Sequence, residues 1–402
     1  KKQFKFRGLM SLNKVAEKFV LNKLKFIQHG SLKLVNYDGK VYHFGNLEDK
    51  LSAEIKITNK NFYLNIILGG GSALGEAHMG RDFYCTNLTN LIELTAKNIN
   101  MVYSFSGSLK LQKIKSVIKK IFASNTKSNS LKYISKHYDL GNDFFSIWLD
   151  KTLTYSSAIF KDDKDELEIA QKNKYQKLID LLQLKEDDKI LEIGCGWGGF
   201  SEYLAKKYNV MIDCITISKK QYEFTKKRIY ERGLSNKVNV KFLDYRDLKS
   251  KYDKVASIEM IEAVGEKYLD KYFWKIKDSL TIDGTAAIQA ITIRNDLFDR
   301  YRTGEDFIQK YIFPGGFLPS SEHLKKLIEK NQLKLGEVNS YPDHYAKTLA
   351  IWKNNFLKTW DNIAPLGFDD KFKRMWEFYL SYCEAGFKAK NIDLIQFSMS
   401  NK

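Results

Sequence analysis

The sequence predicts a doubly wound α/β domain of the Rossmann-like type, preceded by a smaller α+β domain. Strand-like apolar segments alternate with helical segments after residue 137, the pattern of a parallel sheet covered by helices on both faces. One strand runs straight into the glycine-rich turn GCGWGG, and two segments near the C-terminus are predicted to pair antiparallel. The predicted strands are 188–193, 210–217, 238–243, 254–258, 285–293, 334–340 and 394–399. Ligands bind beyond the carboxyl ends of such strands, so the residues that follow them are the candidates for chemistry.

The N-terminal part of the chain divides into a predicted domain and a basic segment. Residues 1–107 contain a lysine-rich helical pattern, then the strand-like segments GSLKLVNYDGKVYHFG and AEIKITN, separated by Asp-Gly and Asn turn signals. Residues 108–136 are predicted to be a basic helix and linker, and residues 137–402 the catalytic domain. Two interpretations of the basic segment stay open. It is either a solvated helix face beside an interdomain joint or an amphipathic helix that lies on anionic headgroups.

The glycine-rich turn indicates a site for a small molecule. Strand, glycine turn and helix together point free backbone N–H groups at a ligand, with Gly194 and Gly196 in the turn. A nicotinamide site would require an acidic residue at the end of the next strand. That strand instead ends in TISKKQ, which carries Thr216 and Gln221, and the acid is Glu192, before the glycines. This pattern resembles a class I S-adenosylmethionine (SAM) methyltransferase more than a dehydrogenase.

The amino-acid composition limits the possible binding partners and indicates the cellular compartment. The formal charge of the 402 residues is +18 at pH 7, which favours a polyanionic partner, either nucleic acid or an anionic membrane surface. No apolar run approaches the length that spans a bilayer, and no signal-peptide core is present. Four widely spaced cysteines predict free thiols in a reducing cytoplasm. The six histidines lack metal-ligand spacing, so no metal is expected.

Eight ordered motifs carry a resemblance to a known family. They are HYDLGNDFFSIWLDKTLTYSSAIF, LEIGCGWGGF, TISKKQ, FLDYRD, IEMIEAVGE, KYIFPGGFLPS, HYAKTLAIW and YLSYCEAGF. Together they resemble the cyclopropane-fatty-acyl-phospholipid synthase family, which also includes the mycolic acid methyltransferases. The resemblance covers the catalytic region and extends more weakly to the first domain. It implies SAM-dependent C-methylation of an unsaturated fatty acyl chain in membrane phospholipid, giving a cyclopropane.

The resemblance also implies roles for individual residues. The positions implied to bind SAM are Tyr155, Ser156, Gly194, Gly196, Thr216, Gln221 and Tyr245. In the family a bicarbonate ion, held by a Cys, a Glu, a His, a backbone group at an Ile, and a Tyr, removes the final proton. Glu262, Ile291 and Tyr345 match the Glu, the Ile and the Tyr. Ser157 and Gln289 stand where many members have the Cys and the His, so this chain departs from the family at two of the five positions.

This departure leaves the product open. Proton loss from the added methyl group closes a cyclopropane, whereas a hydride shift or proton loss elsewhere gives a methyl-branched or methylene chain. The resemblance is compatible with a homo-oligomer. It implies a cytoplasmic enzyme associated peripherally with the inner face of the cell membrane, where the phospholipid substrate and the anionic surface are found.

Three rival functions are weighed against this one. A nucleic-acid methyltransferase is disfavoured because the loop after the fourth strand, IEMIEAVGE, has no proline and no nucleic-acid recognition module is present. A lipid-surface scaffold that has lost catalysis is supported only by Ser157 and Gln289. A small-molecule methyltransferase would have no use for a lipid-associated first domain. No nucleic-acid partner is therefore expected.

Overall fold

The computed structural model describes residues 2–104, 127, 130 and 140–402. The basic segment predicted at 108–136 therefore lies outside the described residues, apart from two single positions. The chain divides into two compact units. Within the described residues, no helix is long and apolar enough to cross a membrane.

The first unit combines a small sheet with helices from distant parts of the chain. It contains residues 2–104 and also Arg300–Ile312 and Gly367–Asn391, two segments from within the range predicted as catalytic. Its elements from the first 104 residues are α1 (Lys2–Leu24), β1 (Ser31–Val35), β2 (Val41–Gly45), β3 (Ser52–Ile57), α2 (Phe62–Gly69), α3 (Ala73–Met79), β4 (Phe83–Cys85), α4 (Leu88–Lys97) and α5 (Ile99–Tyr103). The strand order is β2-β1-β3-β4, in which only the β1–β3 pair is parallel. The predicted α+β character of this region is confirmed.

One long helix from the end of the chain completes the first unit. The helix at Asp370–Lys388 packs against α4, and Thr89 Oγ1 donates a 3.0 Å hydrogen bond to the buried Glu384 carboxylate. Asn391 Nδ2 donates to the carbonyl of Ala96 at 2.9 Å. These contacts join residues almost 300 positions apart, so local sequence patterns carry no sign of them.

The second unit contains a seven-stranded sheet of mixed direction. Its strands are β5 (Lys189–Ile193), β6 (Met211–Thr216), β7 (Val238–Phe242), β8 (Tyr252–Ile258), β9 (Leu280–Ile293), β10 (Leu333–Ser340) and β11 (Ile392–Asn401). The order is β10-β11-β9-β8-β5-β6-β7, with parallel pairs from β7 to β9 and antiparallel pairs on either side of β11. All seven predicted strands and the terminal antiparallel pair are confirmed. The prediction of a doubly wound α/β domain is also confirmed.

Helices separate most of the strands, as the alternating pattern predicts. Numbered on from α5 among the described residues, they are α6 (Asn142–Trp148), α7 (Leu167–Leu182), α8 (Gly199–Lys207), α9 (Lys219–Glu231), α10 (Leu269–Ser279), α11 (Asn295–Thr303), α12 (Ser321–Lys330), α13 (Pro342–Lys358), α14 (Trp360–Ile363) and α15 (Asp370–Lys388), the last in the first unit. The interior strand β5 begins at the exposed Lys189 and is otherwise apolar except for Glu192, because the core formed by α7, α8 and the neighbouring strands covers it.

Candidate active site

The glycine turn after β5 has a backbone shape that glycine favours. Gly194 and Gly196 have φ of +83° and +53°, in the left-handed region that other residues rarely adopt. A Cβ added to Gly194 would lie 2.8 Å from Cγ of Met260, so this glycine is also needed for close packing. A Cβ added to Gly196 would meet nothing within 4 Å. The turn is therefore tightly packed at its first glycine and faces open space at its second.

Side chains of α9 hold the turn in place from the opposite side. Thr225 Oγ1 donates to the Gly196 carbonyl at 3.0 Å, and Arg228 Nη1 donates to the Trp197 carbonyl at 3.1 Å. Glu192 fastens β5 to α8, because its buried carboxylate accepts a hydrogen bond from the Ser201 hydroxyl. Burial raises the pKa of Glu192 to about 7. Since Glu192 is engaged with α8, its role in the turn is structural.

Neutral polar groups follow the next strand. Thr216 Oγ1 donates to Gln221 Oε1 at 2.9 Å, and both side chains are buried at the end of β6 and the start of α9. Ser218 caps that helix, because its hydroxyl accepts from the Gln221 backbone N–H. No acidic side chain stands at this strand end, in keeping with the sequence TISKKQ. The arrangement lacks the carboxylate that a nicotinamide ribose would require.

An aromatic side chain follows the third strand of this half of the sheet. Tyr245 lies three residues after the end of β7, and its ring lies edge-on to that of Tyr272, with 5.6 Å between centroids. Asp244 and Arg246 form a 2.6 Å ion pair beside it. The short turn at 245–247 begins with Asp244, whose carboxylate accepts from the Arg246 backbone N–H. Tyr245 is thereby fixed at the carboxyl edge of the sheet.

These features fit an adenosine-bearing sulfonium cofactor. The turn at Gly196 leaves space where a methionine moiety can approach the backbone, Thr216 and Gln221 offer neutral hydrogen-bonding groups, and Tyr245 offers an aromatic face. The fold and the site thus define a class I SAM-dependent methyltransferase. Within the described residues, no group of three His, Cys, Asp or Glu side chains is arranged to hold a metal ion.

The loop after α6 places Tyr155 and Ser156 beside a buried lysine. The Tyr155 ring packs among Phe145, Trp148 and Trp352, with centroid separations of 5.2, 5.7 and 5.5 Å. The aromatic packing keeps water away from one side of the loop.

The buried lysine is Lys174 of α7, which the sequence analysis did not predict. Its ammonium donates to Ser156 Oγ at 2.7 Å, so the predicted cofactor residue Ser156 is also a partner of a charged group. Burial lowers the pKa of Lys174 to about 8, and the charges of nearby carboxylates, Glu259 first, oppose that shift. Lys174 is therefore the cation that faces a carboxylate cluster.

Glu259 is the centre of that cluster, and it was also not predicted. It directly follows β8, and three donors from three other segments meet its carboxylate. The Ser157 backbone N–H donates to Oε1 at 2.8 Å, Gln289 Nε2 donates to Oε1 at 2.7 Å, and the Tyr345 hydroxyl donates to Oε2. The Ser157 hydroxyl turns away and donates to the Ala158 carbonyl.

A second amide orients the Gln289 side chain. Gln396 lies opposite Gln289 in the β9–β11 pair, and its Nε2 donates to Gln289 Oε1 at 2.8 Å. Since the Gln289 oxygen is thus occupied, its nitrogen is the atom that faces Glu259. Both amides are fully buried. Gln396 is therefore a positioning residue for the Gln289–Glu259 contact.

Glu262 forms a separate part of the cluster. Its Oε1 accepts from the Ile291 backbone N–H at 2.6 Å, whereas its Oε2 is buried and has no hydrogen-bond partner among the residues that the structure describes. Burial and the charge of the nearby Glu259 raise the pKa of Glu262 to about 8. The Glu262 carboxyl is consequently neutral at pH 7, while its neighbour is the carboxyl surrounded by donors.

All five predicted catalytic residues lie in this cluster, but in two groups. Ser157, Gln289 and Tyr345 meet on Glu259, and Glu262 pairs with Ile291. The predicted cofactor residues lie at the ends of β5, β6 and β7, together with the Tyr155–Ser156 loop. The position of Glu259, immediately after a strand, was the signal that sequence reasoning could have used. Lys174 lies within a helix and carried no such signal.

Comparisons with known proteins identify the family. Residues 125–397 match the sequence profile of the mycolic acid cyclopropane synthetase family. The chain is 33% identical over 353 residues to the cyclopropane-fatty-acyl-phospholipid synthase of Escherichia coli strain K12, covering 87% of this chain and 88% of that protein. It is 34% identical over 333 residues to the tuberculostearic acid methyltransferase of Mycobacterium tuberculosis, covering 81% and 78%.

A solved structure gives the same result. A mycolic acid cyclopropane synthase complexed with S-adenosylhomocysteine and CTAB superposes with a TM-score of 0.63 at 28% identity, covering 67% of this chain and 97% of that one. The chain therefore belongs to the mycolic acid cyclopropane synthetase family of SAM-dependent methyltransferases. The resemblance inferred from the eight motifs is confirmed, as is the prediction of a SAM-dependent enzyme.

Proposed function

We propose that this enzyme methylates a carbon–carbon double bond in an unsaturated fatty acyl chain of a membrane phospholipid, and that the product is a cyclopropane. The observation that carries the proposal is the buried carboxylate cluster around Glu259, next to the Tyr155–Ser156 loop. Methylation of an alkene leaves a carbocation, which must lose a proton to a base shielded from water. A cluster of this kind supplies such a base, whereas transfer to a basic nitrogen has no need of one.

The residues around the loop have distinct roles in this proposal. When bound, SAM supplies a methyl group whose bond to sulfur breaks as a bond to the alkene carbon forms. The turn at Gly196 and the polar pair Thr216 and Gln221 would hold the cofactor at the strand ends. Tyr155 and Trp352 present aromatic faces, which stabilise nearby positive charge and exclude water from the acyl chain.

The names of two relatives support a lipid substrate and also a second candidate product. One relative is a cyclopropane-fatty-acyl-phospholipid synthase, and another, of similar identity, is a tuberculostearic acid methyltransferase. Gln289, which replaces the histidine of the synthases, favours the second candidate, a methyl-branched or methylene chain, because an amide cannot relay a proton as an imidazole does. Both candidates share the methyl-transfer step and differ in which proton leaves.

Product analysis separates these candidates. Purified enzyme is incubated with methyl-labelled SAM and vesicles of unsaturated phospholipid, and the lipid is recovered. We expect label in the acyl chains, and proton NMR then distinguishes a ring CH2 from a methylene group. If no label appears in the acyl chains and the label is instead transferred to a water-soluble acceptor, the lipid function is refuted.

We also propose that the first unit contacts an anionic membrane surface through α1. Leu12, Val15 and Phe19 are spaced along one face of this helix and are 55%, 64% and 37% exposed, while the buried face carries Ala16 and Val20. Exposed lysines at positions 14, 18 and 25 accompany this second apolar face. Each lysine close to an anionic surface contributes about 1 kcal/mol of attraction. Such contact would place the enzyme at the inner face of the cell membrane.

Vesicle binding tests this surface. We expect the triple variant Leu12→Ser, Val15→Ser and Phe19→Ser to bind anionic phospholipid vesicles at least about tenfold more weakly, because apolar burial is lost. Ile282→Ser is the matched control, since Ile282 is an exposed apolar residue of the second unit at 89% exposure. Equal binding by the triple variant and the wild type would place the membrane contact elsewhere.

A further inference from the structure

In this chain, donors at the positions that match the bicarbonate-holding residues of the family are already occupied. Three of them, the backbone N–H of Ser157, the side chain of Gln289 and the Tyr345 hydroxyl, donate to the Glu259 carboxylate. A carboxylate presents the same planar pair of oxygens as bicarbonate, so one can stand in place of the other. The internal group has the advantage that it does not have to be captured from solution.

The remaining donor is occupied as well. The Ile291 backbone N–H donates to Glu262 Oε1 at 2.6 Å. With this bond, each of the four positions other than Glu262 has a donor that faces a carboxylate oxygen of the protein. The residues of this chain therefore do not fit a separately bound bicarbonate ion.

The backbone of Glu259 has a strained conformation that the surrounding structure holds in place. Its φ is +48°, a left-handed conformation that is unfavourable for a residue with a Cβ. Its N–H donates to the Gln289 carbonyl at 2.9 Å, which fixes the residue against β9. Strained residues of this kind persist where the surrounding structure holds them, and they concentrate at functional sites.

The groups around Glu259 act on its pKa in opposite directions. Burial raises the pKa of Glu259, whereas the Tyr345 hydroxyl and the positive charge of the buried Lys174 oppose that shift. Glu262 holds its own proton, with a pKa raised to about 8. Positive charge near Glu259 and three hydrogen bonds to its oxygens both favour its ionised form.

We propose that Glu259 is the internal base of this enzyme, replacing the bicarbonate ion of the family. The proposal rests on the function proposed above. After the methyl–carbon bond forms, a C–H bond of the methylated chain breaks, and its electron pair closes the ring or forms a methylene double bond. The proton passes to a Glu259 oxygen and then to water, so charge and atoms balance without a further reactant.

Bicarbonate dependence tests the proposal directly. Wild-type enzyme is assayed with labelled SAM and unsaturated phospholipid in buffer freed of carbon dioxide, with and without added bicarbonate. We expect the same rate in both. A rate that falls when bicarbonate is removed would overturn the proposal, whereas no lipid methylation under either condition would instead contradict the proposed function.

Two substitutions at Glu259 extend the test. Glu259→Gln keeps the shape but cannot accept the proton, and we expect its rate to fall by about 10²- to 10⁴-fold, the usual contribution of a positioned base. Glu259→Gly suits the positive φ and vacates the space of the carboxylate. We expect added bicarbonate to raise the rate of this variant by about tenfold or more, as an external anion fills a prepared site.

Controls make the outcome independent of folding. Glu329→Gln changes an exposed glutamate of α12 and is expected to match the wild type under both conditions. SAM affinity and thermal melting are measured for each variant. A folded Glu259→Gln that retains wild-type activity would overturn the proposal, as would a folded Glu259→Gly whose activity is lost and does not respond to bicarbonate. If Glu259→Gly does not fold, Glu259→Gln and the wild-type assay decide.

Discussion

Gly196 allows the predicted cofactor site to be tested with a matched pair of glycine substitutions. Gly196 and Gly233 both have a left-handed φ, +53° and +67°, and a Cβ at either would meet no atom within 4 Å. Alanine at either position should cost about 1–2 kcal/mol of folding free energy, from backbone strain alone. For a unit of this size, the strain should lower the melting temperature by roughly 2–8 °C.

SAM binding separates the two variants. Gly196 lies in the turn that faces the predicted cofactor, whereas Gly233 lies in the loop between α9 and β7. A methyl group at Gly196 should therefore occupy cofactor space and weaken SAM binding at least about tenfold, or about 1.4 kcal/mol. Calorimetric titration with SAM measures this difference at equal folded fraction. If Gly196→Ala binds SAM as tightly as Gly233→Ala, the turn is not the cofactor site.

Two further predictions concern the carboxylate cluster. Because the pKa of Glu262 is raised from 4.5 to about 8, the unfolded chain releases this proton at lower pH than the folded enzyme does, and the folded state loses stability as pH rises through that window. Denaturant unfolding should show that the free energy of unfolding of Glu262→Gln rises relative to that of the wild type by roughly 3.5 kcal/mol between pH 5 and pH 8, and an unchanged difference would contradict the shift. Gln396→Leu removes the bond that orients Gln289, and it should lower kcat about five- to tenfold with SAM affinity unchanged. A loss confined to SAM affinity would contradict that role.

Much of the second unit could be predicted because its central parallel strands β5, β6 and β8 carry apolar runs and the sequence around them contains turn signals. Leu191 and Ile193 mark β5 as a buried strand, and the glycines that follow allow only a tight turn. The first unit was less predictable. Its later segments, Arg300–Ile312 and Gly367–Asn391, join it by packing between helices far apart in the chain, and such contacts leave no local pattern.

The catalytic cluster was predicted in its members but not in its centre. Matching motifs directed attention to Glu262, because that position carries the glutamate of the family. The structure instead shows Tyr345 and Gln289 bonded to Glu259, three residues earlier. Side-chain direction after a strand depends on the backbone conformation, here the left-handed φ of Glu259, and the sequence alone does not specify that angle. Lys174 escaped notice because most helical lysines are solvated, and only its burial distinguishes it.

The strand order explains how one sheet edge can serve two tasks. The predicted cofactor residues of the sheet lie at the ends of β5, β6 and β7, which form one end of the sheet. Glu259 follows β8 and Gln289 lies in β9, on the other side of β5. Chain order reverses between β5 and β8, and open α/β sheets bind their ligands at such a point. The Ser257 hydroxyl donates to the Ile193 carbonyl at 3.1 Å and joins the two halves there. Since the halves are built from different strands, substitutions at Gly196 should act on SAM affinity and those at Glu259 on proton removal, so the two effects should add in a double variant.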